Sequence, residues 1–414
     1  MPAPSPPPSR GADSATLITA QRVITDPERP PLEHGGVLIR DGVIVAVGPA
    51  HELERTVGTV DHLEFPRGTV TPGLINAHVH LAFDVMTDPR AAIEAGDLAA
   101  VRATVAANAR AALDRGVTTI RDLGDPAGLV KAFGERAAAG REAGPRVLSA
   151  MAPLTAPGGH CWFLGGEIDT GDGRAEQVIR AAVDERADAG ADVVKVMAGG
   201  GMLTPAGAPI WESQFTERDL TILVAAAHER GLPVAGHAHG TEAMARCARA
   251  GVDTIEHGGW RAPPGPDGEA RHDLSAEVAD LIAASGAVMV PTRARGWRSW
   301  PPDAELEGLL EKLAFDAERG IPLIAGNDAG VGQGFFDDLV DTLTLYEAAG
   351  WSRPQALAMA TTRSAVALGL PHLGRLEPGC GADLVVLDAD PLTGLEALRS
   401  IRLVVVRGRQ HVPS

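Results

Sequence analysis

The chain has 414 residues, 45% of them hydrophobic and 22% charged, with a formal net charge of -17. That balance is that of a globular protein able to bury a large core. So acidic a surface repels phosphate backbones, and no run approaches the roughly 18 apolar residues of a membrane span, so neither nucleic acid nor membrane is an expected partner.

The chain opens on MPAPSPPPSRGADSA. Residues 1–14 are proline-rich and lack an apolar h-region, which predicts a disordered leader rather than a secretory signal. Three cysteines, Cys161, Cys247 and Cys380, show no paired metal-type spacing and read as buried thiols of a reducing compartment. A cytoplasmic location is the corresponding expectation.

From residue 15 the pattern is short strands. ATLITAQRVI and GGVLIRDGVIVAVG alternate β-branched residues, and Asp41-Gly42 is a hairpin signal. ADLVVLDAD and SIRLVVVRG repeat that character near the other end. Residues 15–71 and 372–414 are therefore expected to form one small β-sandwich domain assembled from both termini.

Residues 72–371 alternate apolar strands with alanine-rich amphipathic helices. The candidate strands are GLINAHVH, TTIRDLG, RVLSA, DVVKVMA, PVAGHAH, TIEHG, VMVPT and PLIAGND. Helices are predicted over 95–115, 174–189, 217–230, 276–285 and 305–319. Eight strand-like segments over about 300 residues fit a (β/α)8 TIM barrel, which typically takes about 250. A doubly wound open sheet is the competing reading of such alternation. His78, His80, Lys195, His237, His239, His257 and Asp328 all fall where strands end. An open sheet strings its strand ends along a line, whereas a barrel focuses them on one mouth, so the barrel is favoured.

Two histidines two apart on a strand point the same way, so His78 with His80, and His237 with His239, can face one ion. Only three lysines occur, Lys131, Lys195 and Lys312. Lys195 stands inside an apolar strand of an arginine-rich chain. Its stem packing in the barrel is the plain reading. A desolvated amine can instead act as a nucleophile, forming with CO2 a carbamate able to bridge two metals, or with a carbonyl a Schiff base. The neighbouring histidines favour metal. Asp328, in AGNDAG, can bind metal and accept a proton from activated water.

Together these segments resemble the amidohydrolase superfamily over nearly the whole chain. TPGLINAHVHL is similar to its first-strand metal motif and VVKVMAGGG to the lysine strand of its binuclear members. VAGHAHG, TIEHGG and IAGNDAG resemble its later histidine and aspartate segments. ATTRSAVALGL and GRLEPGCGADLVVLDADPL resemble its exit into a terminal sheet. The resemblance implies two divalent ions, most readily Zn2+. His78, His80 and Asp328 would hold the first, His237 and His257 the second, and CO2-carboxylated Lys195 would bridge them. Asp328 would also be the general base. His239 would orient substrate rather than ligate.

The lysine strand, HAHG and IEHGG are most similar to the Xaa-Pro dipeptidase and ochratoxinase-like branch, related to imidazolonepropionase, which hydrolyses amides beside a free carboxylate. APGGHCW resembles a segment of that branch in which the histidine, here His160, reaches substrate. The single tyrosine, Tyr346, lies in a predicted helix, so no tyrosine can serve from the loop after Lys195. Arg293 and Arg295 are candidate carboxylate forks. The loop 199–215 and the segment 291–302, with Trp297 and Trp300, are expected to set specificity.

The implied function is metal-dependent hydrolysis of an amide in a dipeptide, N-acyl amino acid or similar small molecule. The rival readings are a mononuclear deaminase or cyclic-amide (imidazolone-type) hydrolase, which would not need Lys195, a non-catalytic binding barrel, and a specialised biosynthetic enzyme. His34, His51, His62, His228, His272, His372 and His411 lie away from strand ends and carry no assigned role. Alanine-rich helical faces are compatible with a homo-oligomer.

Overall fold

A computed structural model describes residues 15–84, 90–171, 173–204, 207–268, 271–292, 297, 304–332 and 334–414. The leader, Arg293, Arg295 and Trp300 lie outside the described residues. The strands in chain order are β1 (Thr16–Val23), β2 (Leu32–Arg40), β3 (Val43–Pro49), β4 (Asp61–Pro72), β5 (Leu74–Val79), β6 (Val117–Asp122), β7 (Arg146–Ser149) and β8 (Val194–Val196). They continue with β9 (Val234–Gly240), β10 (Thr254–Ala262), β11 (Arg271–His272), β12 (Val288–Val290), β13 (Leu384–Leu387), β14 (Ile401–Val406) and β15 (Arg409–His411).

Both termini build one sheet, in the order β15-β14-β13-β4-β1-β2-β3. It is a single hydrogen-bonded sheet rather than the two sheets of the expected sandwich, and it rolls back on itself. At the start of β3, Val43 bridges Gly381 and the Ile44 amide donates to Cys380 O (2.8 Å). The roll encloses Ile18, Val37, Ile44, Val70, Leu384 and Val405. Strand period explains how this core joins the larger one: Leu384 and Val386 face the roll, whereas Val385 and Leu387 pack into the main core.

The middle of the chain is a mixed α/β fold. β5-β6-β7 form one parallel sheet. β8, β9, β10 and β12 form another, also parallel, with β11 as an antiparallel hairpin partner on β10. Isolated parallel bridges connect them, Leu154 with Val196 on one side and Met289 with Leu323, Thr292 with Gly326 and Val79 with Ala329 on the other. The expected eighth strand, 322–328, has no ladder of its own. It sits between β12 and β5 through single bonds, Ile324 N to Met289 O (3.1 Å) and Ala77 N to Ala325 O (2.9 Å). A left-handed Asp328, φ 55°, ends its extended run.

The helices follow local signals. Thr216 caps Glu217–Glu229 in a reciprocal box with Asp219, and Leu220, Leu223, Val224 and Ala227 turn the buried stripe to the sheet. Ser275 starts Ala276–Ser285 and Gly286, φ 81°, stops it. No helix among the described residues is long and apolar enough to cross a membrane.

Candidate active site

His78, His80, His160, Lys195, His237, His239, His257 and Asp328 line one cavity of about 870 Å3. They arrive from β5, β8, β9, β10, the segment after β12 and the loop after β7. Eight of the ten residues singled out from the sequence thus converge; Arg293 and Arg295 lie outside the described residues. Trp297 turns its indole N–H to Asp341 O (3.1 Å) and Thr344 Oγ1 (3.2 Å), against the helix Leu339–Ala348.

Asp328 Oδ1 lies 3.3 Å from His78 Nε2 and 3.2 Å from His80 Nε2. The buried atoms lacking a hydrogen-bond partner include His78 Nε2, His80 Nδ1, Lys195 Nζ and Asp328 Oδ1. Leaving such atoms unmatched inside a protein costs free energy, and a shared cation satisfies several at once. The donors fall in two overlapping groups, His78 with His257 and Asp328, and His237 with His239 and His257; within each, one ligand atom per residue lies within 4.8 Å of the others. His239 is therefore near enough to ligate, a placement the resemblance does not give it. Its ring stacks on His257 at 4.4 Å between centroids.

Three histidines each have one ring nitrogen tied to a backing group. His78 Nδ1 meets Glu256 Oε2 (2.7 Å), His257 Nδ1 meets Thr292 Oγ1 (2.6 Å), and His237 Nε2 meets Gly200 O (3.2 Å). With that nitrogen donating, the other keeps its lone pair for an ion, the usual arrangement behind metal-binding imidazoles. Glu256 is itself held: Arg121 Nη2 (2.8 Å) and Thr254 Oγ1 (2.6 Å) donate to its Oε1, and Arg121 Nε donates to Ala77 O (2.7 Å). Sequence reasoning missed Glu256, Arg121 and Thr254. A signal was present, since Glu256 and Arg121 interrupt apolar strands as Lys195 does.

Strand alternation would send Glu256 and His257 to opposite faces, yet both approach His78, whose ring lies 4.9 Å from that of His257. A left-handed φ of 73° at His257 and the bulge in β10 before Arg261 redirect the chain. Such backbone costs about 1–3 kcal/mol per residue and collects at functional sites. Asp328 is the second case here.

The protonation states suit cation binding. Burial and the Lys195 charge push the His78 imidazole down to about 4, and burial chiefly holds His237 and His257 well below their ordinary value. Burial alone would raise the Asp328 carboxyl, but His78, His80 and Lys195 hold it below the ordinary carboxylate range. Burial likewise opposes ionisation of Glu256, which Arg121 and His78 bring down to about 2. Lys195, 1% exposed, is pushed down by burial to about 8, so a neutral, nucleophilic amine is accessible near neutral pH.

His160 stacks on His237 at 4.3 Å, and a Cβ on Gly201 would lie 2.4 Å from its Cε1. The loop after β8 therefore closes against His160 only because residue 201 has no side chain. Met202, Leu203 and Ile210 carry that loop over the cavity.

Comparison with known proteins gives the family. A family model described as the amidohydrolase family matches residues 69–410, and an imidazolonepropionase-like composite domain of bacteria matches residues 35–56. Ochratoxinase of Aspergillus niger is 24% identical, covering 94% of this chain and 84% of its own. A Xaa-Pro dipeptidase crystallised with methionine in its active site superposes with a TM-score of 0.79 at 25% identity, covering 96% of this chain and 100% of that one. A prolidase complexed with N-methylphosphonate-L-proline gives 0.80 at 25% identity, covering 97% and 100%. The chain belongs to the amidohydrolase family and is a hydrolase.

Proposed function

We propose that the protein hydrolyses an amide C–N bond of a small carboxylate-bearing molecule, a dipeptide or N-acyl amino acid, at a binuclear metal centre. The observation that carries this reading is three histidines, His78, His237 and His257, each with one nitrogen tied back, gathered with His80 around Asp328 and a buried lysine. The reading includes a (β/α)8 barrel over residues 72–371, supported by the bridges that link the two parallel sheets. The rolled sheet of residues 15–71 and 372–414 is a separate domain in this reading.

His78, His80 and Asp328 would hold one ion, His237 and His257 the other, with Lys195, carboxylated by CO2, between them; zinc suits a site so rich in imidazole. Two such ions, when bound, activate water and polarise the scissile carbonyl. Asp328 would accept the proton of the attacking water and deliver it to the leaving nitrogen. His160 and His239 border the space left for substrate. The similarity to proteins named ochratoxinase, Xaa-Pro dipeptidase and prolidase supports an amide beside a carboxylate.

The test is the metal-to-protein ratio of protein grown with zinc and bicarbonate, beside Lys195→Ala prepared identically. A ratio of about two that falls sharply in the variant, with hydrolysis of N-acyl amino acids or dipeptides by the parent alone, is the expected result. A ratio of about one in both proteins would remove the bridging lysine and bring deaminase-type substrates forward.

A further inference from the structure

Two asparagines beside the proposed metal ligands have no part in the chemistry above. Asn76 lies two residues before His78 and so shares a strand face with it and with His80, and Asn327 immediately precedes Asp328. Both side chains are buried, 2% exposed each, and Asn327 also lines the active-site cavity. Asn76 Nδ2 donates to Asn327 Oδ1 at 2.7 Å.

The backbone fixes which way each amide points. The His78 N–H can only donate, and it meets Asn76 Oδ1 (3.3 Å). The Ala329 N–H likewise donates to Asn327 Oδ1 (3.2 Å), and Phe335 O can only accept, from Asn327 Nδ2 (3.0 Å). Flipping either side chain would set like groups against each other.

Asn327 Nδ2 makes a second bond, to Asp338 Oδ1 (2.8 Å). Asp338 is 3% exposed and stands at the start of the helix Leu339–Ala348, where an aspartate ordinarily accepts from a first-turn amide. Its side chain makes no such bond and reaches back instead to Asn327 and to Phe335 N (3.4 Å). These contacts close the turn that carries Asp328. That residue is left-handed; Val331 N donates to its carbonyl (3.1 Å) and Gly330 N donates to Gly334 O (2.8 Å). Asn327 stands at one end of the turn and Phe335 at the other. The Asn327 amide ties the two ends together and, through Asn76, ties both to the strand of His78.

We propose that Asn327 is a positioning residue for the first metal site, with Asp338 as its anchor: the chain Asp338–Asn327–Asn76 holds the Asp328 carboxylate against His78 and His80. The role rests on the reading above, in which those last three residues share one ion of a binuclear pair.

The test is removal of zinc from the metal-loaded protein by a chromogenic chelator, in wild type, N327A, D338A and D338N, each also followed by thermal unfolding. His237 and His257 are tied to Gly200 and Thr292 rather than to these side chains. N327A is therefore expected to weaken one of two ions about 10- to 100-fold, the usual cost of losing a partner behind a metal ligand, and to leave the other as in wild type. D338A should fall in the same direction. D338N, whose amide oxygen can still accept from Asn327, should stay close to wild type. A merely structural contribution would lower the melting temperature and leave the zinc affinities of the folded variants unchanged; that result overturns the role, as does equal weakening of both ions. If N327A does not fold, D338A beside D338N decides: zinc affinities in D338A equal to those of wild type, or a D338N as weak as D338A, overturn the anchor. A wild type that holds one ion, weakened in N327A, would sink the binuclear reading and leave the positioning role standing; two ions held equally by wild type and N327A would do the reverse.

Discussion

At the scale of single residues, the site depends on groups that touch no substrate. Glu256 is fully buried and ionised, and its oxygens are divided between His78 on one side and Arg121 with Thr254 on the other. Glu256→Gln keeps the shape and can still accept from His78 Nδ1, but it removes the charge that opposes Arg121 and raises the basicity of the ring. Affinity for the first ion should fall about 10- to 100-fold, the usual effect of losing a carboxylate behind a ligating histidine. Competition against a chromogenic chelator measures it. An unchanged affinity with an unchanged melting temperature would show that His78 is oriented by its backbone alone. Glu256 also illustrates what a sequence conceals: its neighbour His257 was found because histidine ends an apolar strand, whereas the partner of a buried carboxylate, here Arg121, 135 residues away, emerges only when the strands are assembled.

At the scale of elements, the parts governed by local rules are the ones the sequence predicts well. Glu217–Glu229 and Ala276–Ser285 begin at Thr216 and Ser275 because those side chains accept the first free amides. What depends on pairing is less legible. The pairing of β11 with β10, the bulge beyond His257, the left-handed Asp328 and the single-bond placement of 322–328 are features that periodicity does not reveal. The loop after β8 is an intermediate case, since its glycines are visible in the sequence but their reason is not. Gly200 and Gly201 leave no room for a Cβ, the first against Ala208 O and the second against the His160 ring. Gly201→Ala should displace His160 while leaving the metal ligands in place. The expected result is a KM raised by up to roughly tenfold, the value of one hydrogen bond, at unchanged metal content. An unchanged KM would show that His160 does not reach the substrate.

At the scale of the whole molecule, the rolled sheet and the parallel layers share one interior, because alternate residues of β13 and β14 face the two cores. Asp383, just before β13, adds a polar link at the same seam. Its carboxylate accepts from Arg146 Nε (2.6 Å) at the start of β7 and from the Arg407 amide (2.6 Å) beyond β14, while its carbonyl accepts from Gly73 N (3.0 Å) between β4 and β5. The Asp383 side chain is 2% exposed and that of Arg146 26%, so the pair has enough shelter to escape the screening that makes surface ion pairs nearly worthless. Asp383→Ala would leave Arg146 facing the Arg407 guanidinium, which burial and Arg146 already depress to about 10. It would also strip the Arg407 amide of its acceptor. Breaking a buried pair from one side costs about 3–5 kcal/mol, and the exposed part of Arg146 places this case toward the lower end. Guanidinium unfolding should therefore show a lowered midpoint, and because the apolar seam persists, a single transition rather than two. A loss below about 1 kcal/mol would reduce the link to a surface pair. Two separated transitions would instead mean that Asp383, rather than the shared faces of β13 and β14, makes the two parts unfold as one.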